Sequence, residues 1–114
     1  MEVGLKGQLF YFNPIRKVTM PFFVYILQSK TNLSFYKGST DDLERRLSEH
    51  NAGKNTSTKR YLPWTLVWFD TKPTKAEAVA LEMKLKNLSI QRTMDFISKY
   101  PPPAGLFNVS EVQR

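Results

Sequence analysis

Apolar residues along the chain fall into short runs separated by polar, turn-rich stretches, and the period inside each run predicts its form. FFVYILQ, from Phe22 to Gln28, is dense in aromatic and β-branched residues and predicts a strand, as does FYKG from Phe35 to Gly38. The polar stretch Ser29 to Asn32 between them makes the pair a β-hairpin. With Lys30 and Thr31 at the centre of the turn, Tyr25 stands opposite Tyr36, and directly paired residues share a sheet face.

Gly38 and Ser39 end the hairpin. Thr40 or Asp41 then caps a helix that runs to about Ala52, with Glu44 three residues after Asp41 and Gly53 at the far end. KNTSTK, Lys54 to Lys59, is a polar, basic loop. WTLVWFD, Trp64 to Asp70, predicts a third strand bounded by Pro63 and Pro73. Thr74-Lys75-Ala76-Glu77 matches the Ser/Thr-x-x-Glu capping box, and Ala78, Leu81, Leu85 and Leu88 follow at helical spacing, so a helix is expected from Lys75 to about Leu88. Ser89 is placed to cap a further helix, in which Ile90, Met94 and Ile97 keep the same period until the prolines Pro101 to Pro103. The expected order is β-β-α-β-α-α, an α+β domain spanning residues 21–100.

Residues 1–20 hold no sustained period, and Asn13-Pro14 breaks their one aromatic cluster, so they read as an N-terminal appendage; residues 101–114 read as a C-terminal tail. Met20 directly precedes the first strand, which motivates the hypothesis that translation naturally starts there. The intact mass of protein from the native host tests it, and a mass that includes residues 1–19 refutes it.

Composition narrows the chemistry. The 114 residues carry 17 Lys plus Arg against 10 Asp plus Glu, a formal charge of +7, which suits a polyanion and nucleic acid first. Many basic proteins share that balance, so charge alone says nothing about catalysis. The absence of cysteine removes disulfides, thiolate nucleophiles and sulfur-ligated zinc, and a single histidine disfavours imidazole-ligated zinc. A metal here falls to carboxylate oxygen. The longest apolar run, Pro21 to Leu27, is far short of the stretch of about 20 residues that crosses a membrane, and Lys6 interrupts any secretory pattern, so a cytoplasmic location is expected.

Several polar residues fall where core is expected. Leu43 and Leu47 set the buried stripe of the first helix, and Arg46 and His50 lie within about 60° of Leu43, whereas Arg45 points about 200° away into solvent. Glu82 lies about 40° from Ala78 at the edge of the later apolar stripe. Each has a plain structural reading: Glu82 can pair with Lys86 one turn on, Arg46 can lay its stem over apolar surface, and tyrosines are common strand packing. What favours chemistry is the occurrence of phenol, guanidinium, imidazole and carboxylate on separate elements of a basic chain.

Val24-Tyr25-Ile26 followed by Tyr36-Lys37-Gly38 resembles the paired tripeptides of the GIY-YIG nucleases. The string GSTDDLERRLSEHNAGK, Gly38 to Lys54, resembles that family's first helix with its arginine at Arg46. EAVALE, ending at Glu82, resembles its metal-binding helix, and STKRYLPWTLVWF resembles a stretch common among small bacterial members related to the N-terminal module of excinuclease C. The likeness runs from about Phe22 to Tyr100. It departs at Val24, in place of a glycine, and at Lys37, in place of an apolar residue.

The resemblance implies the GIY-YIG fold, a three-stranded, mostly antiparallel sheet flanked by helices, and a stand-alone endonuclease hydrolysing DNA phosphodiesters with one divalent ion, Mg²⁺ or Mn²⁺. It implies a metal ligand at Glu82, a phosphate-binding guanidinium at Arg46, a base at Tyr25 or Tyr36 or on an activated water, and an orienting role for His50. One carboxylate suffices because Mg²⁺ keeps several waters. Lys37, Lys54, Lys59 and Arg60 are the expected backbone-tracking residues, with salt-sensitive, sequence-tolerant binding and RNA open as a second substrate. DNA repair is the process the likeness suggests. The rival reading is a nucleic-acid-binding module of the same fold without activity. The nuclease reading requires Tyr25, Tyr36, Arg46 and Glu82 to line one basin.

Overall fold

The computed structural model describes residues 2–5, 8–11 and 21–101. Near the N-terminus, β1 (Glu2–Leu5) and β2 (Gln8–Tyr11) pair antiparallel, although runs of four residues are too short to display a period in the sequence. The expected start at Met20 and the tail from residue 102 onward lie outside the described residues.

The domain consists of β3 (Phe22–Ser29), β4 (Phe35–Thr40), α1 (Leu43–Asn51), β5 (Trp64–Lys72), α2 (Lys75–Lys86) and α3 (Ile90–Lys99). A single 3-10 turn, Lys59–Tyr61, interrupts the loop before β5. The strands form one antiparallel sheet in the order β4-β3-β5. This is the β-β-α-β-α-α arrangement that the periodicities predict.

Because β3 is central, both of its faces are buried, which explains why FFVYILQ is apolar throughout rather than alternating. Phe23, Tyr25 and Leu27 pack with Leu43 and Leu47 of α1 and with Trp64, Leu66 and Phe69. Val24 and Ile26 face the other way, with Trp68 and with Ala78 and Leu85 of α2. The pairing of β3 with β5 slips between Ile26 and Leu27, leaving Val67 as an extra residue. That bulge lets Val67 and the following Trp68 both serve the α2 side.

The hairpin register differs from the expected one. Ser29 N–H donates to the Ser34 carbonyl at 2.9 Å, and the Ser29 hydroxyl accepts from the N–H groups of Thr31 and Asn32 at 3.0 and 3.2 Å. The loop is therefore longer than a turn centred on Lys30 and Thr31, and Tyr25 pairs with Gly38 while Tyr36 pairs with Leu27. A slip of two preserves side-chain parity, so both phenols still share a face.

Helix starts also moved. Asp42, rather than Thr40 or Asp41, caps α1, its carboxylate accepting from Arg45 N–H at 3.0 Å; Asp41 instead binds the Arg45 guanidinium at 3.1 Å. Thr74 and Ser89 cap α2 and α3 as predicted. In α3 the inward stripe is Thr93, Phe96 and Ile97, and Ile90 and Met94 are exposed. Apolar spacing alone could not tell which side of that helix met the sheet.

Candidate active site

Burial forces His50 to make specific contacts. It occurs in the last turn of α1, fully enclosed, with Nε2 3.0 Å from the Tyr25 hydroxyl and Nδ1 2.9 Å from Thr58 Oγ1. Thr58 Oγ1 donates to the Asn55 carbonyl at 3.4 Å. Nδ1–H therefore donates to Thr58, and Nε2 accepts the Tyr25 phenolic proton. Burial, reinforced by Arg46, pushes the imidazole pKa down to about 4. A neutral ring suits an acceptor.

Tyr25 is 1% exposed. Burial first, then the neighbouring Tyr36, raises its pKa well above the usual phenol range, while Arg46 pulls in the other direction. The Tyr25 and Tyr36 ring centroids are 6.3 Å apart, and the Tyr36 ring meets the His50 ring edge-on at 4.8 Å. Tyr36 is half-buried, since β4 is the sheet's edge strand.

Gly38 explains why the first phenol can lie there. A Cβ at Gly38 would stand 2.5 Å from the Tyr25 hydroxyl oxygen and 2.6 Å from its Cζ, so the ring crosses the strand where no side chain exists. The glycine's role is space rather than backbone freedom.

Arg46 Nη1 is 3.0 Å from Glu49 Oε1, and its guanidinium also interacts with both phenols. Burial alone would lower its pKa, but hydrogen bonding to Tyr25, Glu49 and Tyr36 outweighs that and raises it. It stays charged throughout the working range. Arg45 lies outside this group, paired with Asp41 and Glu49.

Glu82 comes from the opposite layer. Its helix packs on the Val24 face, and Glu82 Oε1 accepts a 2.5 Å hydrogen bond from Ser39 of β4, while Oε2 is 2.7 Å from Lys86 Nζ. The pairing with Lys86 holds the ammonium's pKa up. Tyr25, Tyr36, Arg46 and His50 thus share the α1 face, and Glu82 reaches the rim of the edge strand from the other side. The groups still sense one another: Glu82 adds to the rise at Tyr25, and Tyr36 adds to the rise at Lys86. An open cleft of about 360 Å³ is lined by Arg46 and Ser39 together with Phe22, Thr40, Asp41, Arg45 and Lys75.

Lys54, Lys59 and Arg60 are exposed in the segment after α1 and do not line this cleft; Arg60 lies 5.8 Å from the Tyr61 ring centre. Lys37 pairs with Ile26 and so points to the α2 face, its Nζ 5.9 Å from the Phe35 ring. Partial burial lowers its pKa.

Among the described residues no three His, Cys, Asp or Glu side chains gather into a metal cage. One carboxylate with a neighbouring hydroxyl fits an ion that retains most of its water, as Mg²⁺ does, and does not fit structural zinc. Glu82, with Ser39 beside it, would be the holder. Among these contacts, Ser39 and Thr58 gave no recognisable signal in the sequence, being two of many small hydroxyl residues on polar stretches.

Comparison with known proteins adds to this geometry. Residues 21–95 match the GIY-YIG catalytic domain. The chain is similar to the UPF0213 protein SH2523 of Staphylococcus haemolyticus, 37% identical over 78 residues covering 68% of this chain and 94% of that one. It is likewise similar to the UPF0213 protein lin0209 of Listeria innocua, 38% identical over 80 residues covering 68% and 86%. A solution NMR structure of the UPF0213 protein BH0048 from Bacillus halodurans covers 74% of this chain and 89% of its own, with 35% identity and a TM-score of 0.49. No helix among the described residues is long and apolar enough to cross a membrane. With its catalytic-domain match spanning the hairpin, both tyrosines, Arg46 and Glu82, the chain belongs to the GIY-YIG family, whose members are nuclease-like.

Proposed function

We propose that the protein is a metal-assisted endonuclease that hydrolyses DNA phosphodiester bonds at the rim of β4. The observation that carries this reading is the clustering of Tyr25, Tyr36 and His50 on one face, with Arg46 close enough to act on both phenols, while Glu82 reaches the same strand through Ser39.

The chain's own groups support a division of labour. Arg46 presents a permanently charged, planar fork to the nonbridging oxygens, whose charge grows as water attacks phosphorus, so its bonds strengthen in the transition state. Tyr25 has its proton committed to His50 and its phenol held protonated by burial, so it braces the site. Tyr36 is the more accessible phenol and, beside Arg46, orients the attacking water. Glu82, with Ser39 beside it, would hold a divalent ion, which would supply Lewis acidity for departure of the leaving oxygen. Lys54, Lys59, Arg60 and Lys37 contact the phosphate backbone, which makes binding sequence-tolerant.

The test is nicking of supercoiled plasmid and of single-stranded and branched DNA in Mg²⁺ or Mn²⁺, with RNA in parallel. Tyr36→Phe, Arg46→Ala and Glu82→Ala are expected to lose cleavage while staying folded. Salt-sensitive binding by the wild type without cleavage of any substrate would move the protein to a binding role. Full activity in the Glu82 variant would remove the metal assignment alone.

A further inference from the structure

Neither oxygen of Glu82 is vacant. Oε1 takes the Ser39 hydroxyl at 2.5 Å and Oε2 takes the Lys86 ammonium at 2.7 Å. The Glu82 side chain is only 16% exposed and its Oε2 is covered by Lys86, which is itself 55% exposed and can swing away. Glu82 and Lys86 are one helical turn apart on α2, so this contact forms locally whenever the helix does.

We propose that Lys86 is a built-in counter-ion that competes with the divalent ion for Glu82 and yields when nucleic-acid phosphate offers the ammonium another anion. The inference rests on the proposed role of Glu82. A monovalent, flexible cation and a hydrated divalent one cannot share Oε2, because the metal's inner waters need the space and the two positive charges repel. Lys86 is also close enough to Tyr36, on the same edge strand as Ser39, for the two to interact electrostatically. The consequence is thermodynamic coupling: phosphate binding removes the competitor, so metal and nucleic acid each strengthen the other's binding.

Mn²⁺ binding followed by electron paramagnetic resonance measures this without any turnover. The proteins are wild type, Lys86→Met, Lys86→Arg and Glu82→Gln, each with and without a short single-stranded DNA bearing nonhydrolysable methylphosphonates at all but its end linkages, and again with an all-phosphodiester strand in a Tyr36→Phe background. Lys86→Met is expected to bind Mn²⁺ about five- to tenfold more tightly than wild type without DNA. Lys86→Arg keeps a competing cation and stays within about twofold of wild type. In the Tyr36→Phe background the phosphodiester strand tightens Mn²⁺ binding, the methylphosphonate strand does so less, and Lys86→Met abolishes the difference. Equal Mn²⁺ affinity in wild type and Lys86→Met, with binding lost in Glu82→Gln, overturns the inference and leaves the metal site standing. Mn²⁺ binding unaffected by Glu82→Gln overturns both. Far-ultraviolet circular dichroism of each variant confirms that α2 persists.

Discussion

Replacing Gly38 with alanine should damage the site from within the sheet. The added Cβ would meet the Tyr25 ring at 2.5 and 2.6 Å, about an ångström inside ordinary contact, and the ring cannot retreat because it is 1% exposed among Phe23, Leu27, Leu43 and Leu47. Overpacking of this kind costs about 1–3 kcal/mol. Displacing the phenol also stretches its buried 3.0 Å hydrogen bond to His50, worth about 1 kcal/mol. Gly38→Ala should therefore lose about 2–4 kcal/mol, read by urea unfolding through Trp64 and Trp68 fluorescence. The double-mutant cycle isolates the cause: on a Tyr25→Ala background the same change should cost less than about 0.5 kcal/mol, because the ring it strikes is gone. A coupling energy near zero would refute the steric account. Wild-type stability in Gly38→Ala alone would do so as well.

Other expectations follow from the same contacts. His50 is neutral in the fold with its pKa at about 4 against 6.5 unfolded, so the unfolded state binds the extra proton first. Its stabilisation is complete above about pH 6.5 and falls by up to about 3 kcal/mol as the pH drops toward 4, a slope that His50→Gln should lack in urea titrations across that range. Ser29→Ala removes a fully buried hydroxyl that donates to the Tyr61 carbonyl at 2.7 Å and accepts from Thr31 and Asn32, so a loss of about 1–3 kcal/mol is expected in thermal or urea unfolding. Lys54→Ala, Lys59→Ala and Arg60→Ala should each lower the slope of log affinity against log salt by about one in DNA-binding titrations; an unchanged slope removes that residue from the phosphate contacts.

Much of the fold is legible in the chain because the cues are local. The capping box at Thr74, the cap at Ser89 and the all-apolar run of β3 are decided by neighbours in sequence, and they appear where expected. The hairpin register was less accessible: two hydrogen bonds accepted by one serine hydroxyl shape the longer loop, and nothing in Ser29 to Asn32 announces that they form. For α3, both Ile90–Met94 and Phe96–Ile97 offer a helical apolar face, and only the sheet decides between them. Tyr25, Tyr36, Arg46 and Glu82 stand out in the chain as candidates, but their division between two layers does not. Gly38 could be marked as a hairpin end from its type, while its function as room for a ring depends on a register the turn had to set.

The bulge at Val67 gives β5 one point of tolerance. Val67 has no pairing partner of its own: conservative exchange of the valine should pass almost unnoticed, and even its deletion would leave Ile26 opposite Trp68 and Leu27 opposite Leu66, with every remaining side chain on its own side of the sheet. A residue gained or lost anywhere else in β5 would instead turn buried side chains such as Trp64 or Phe69 to the opposite face, so the strand's tolerance is confined to this one position.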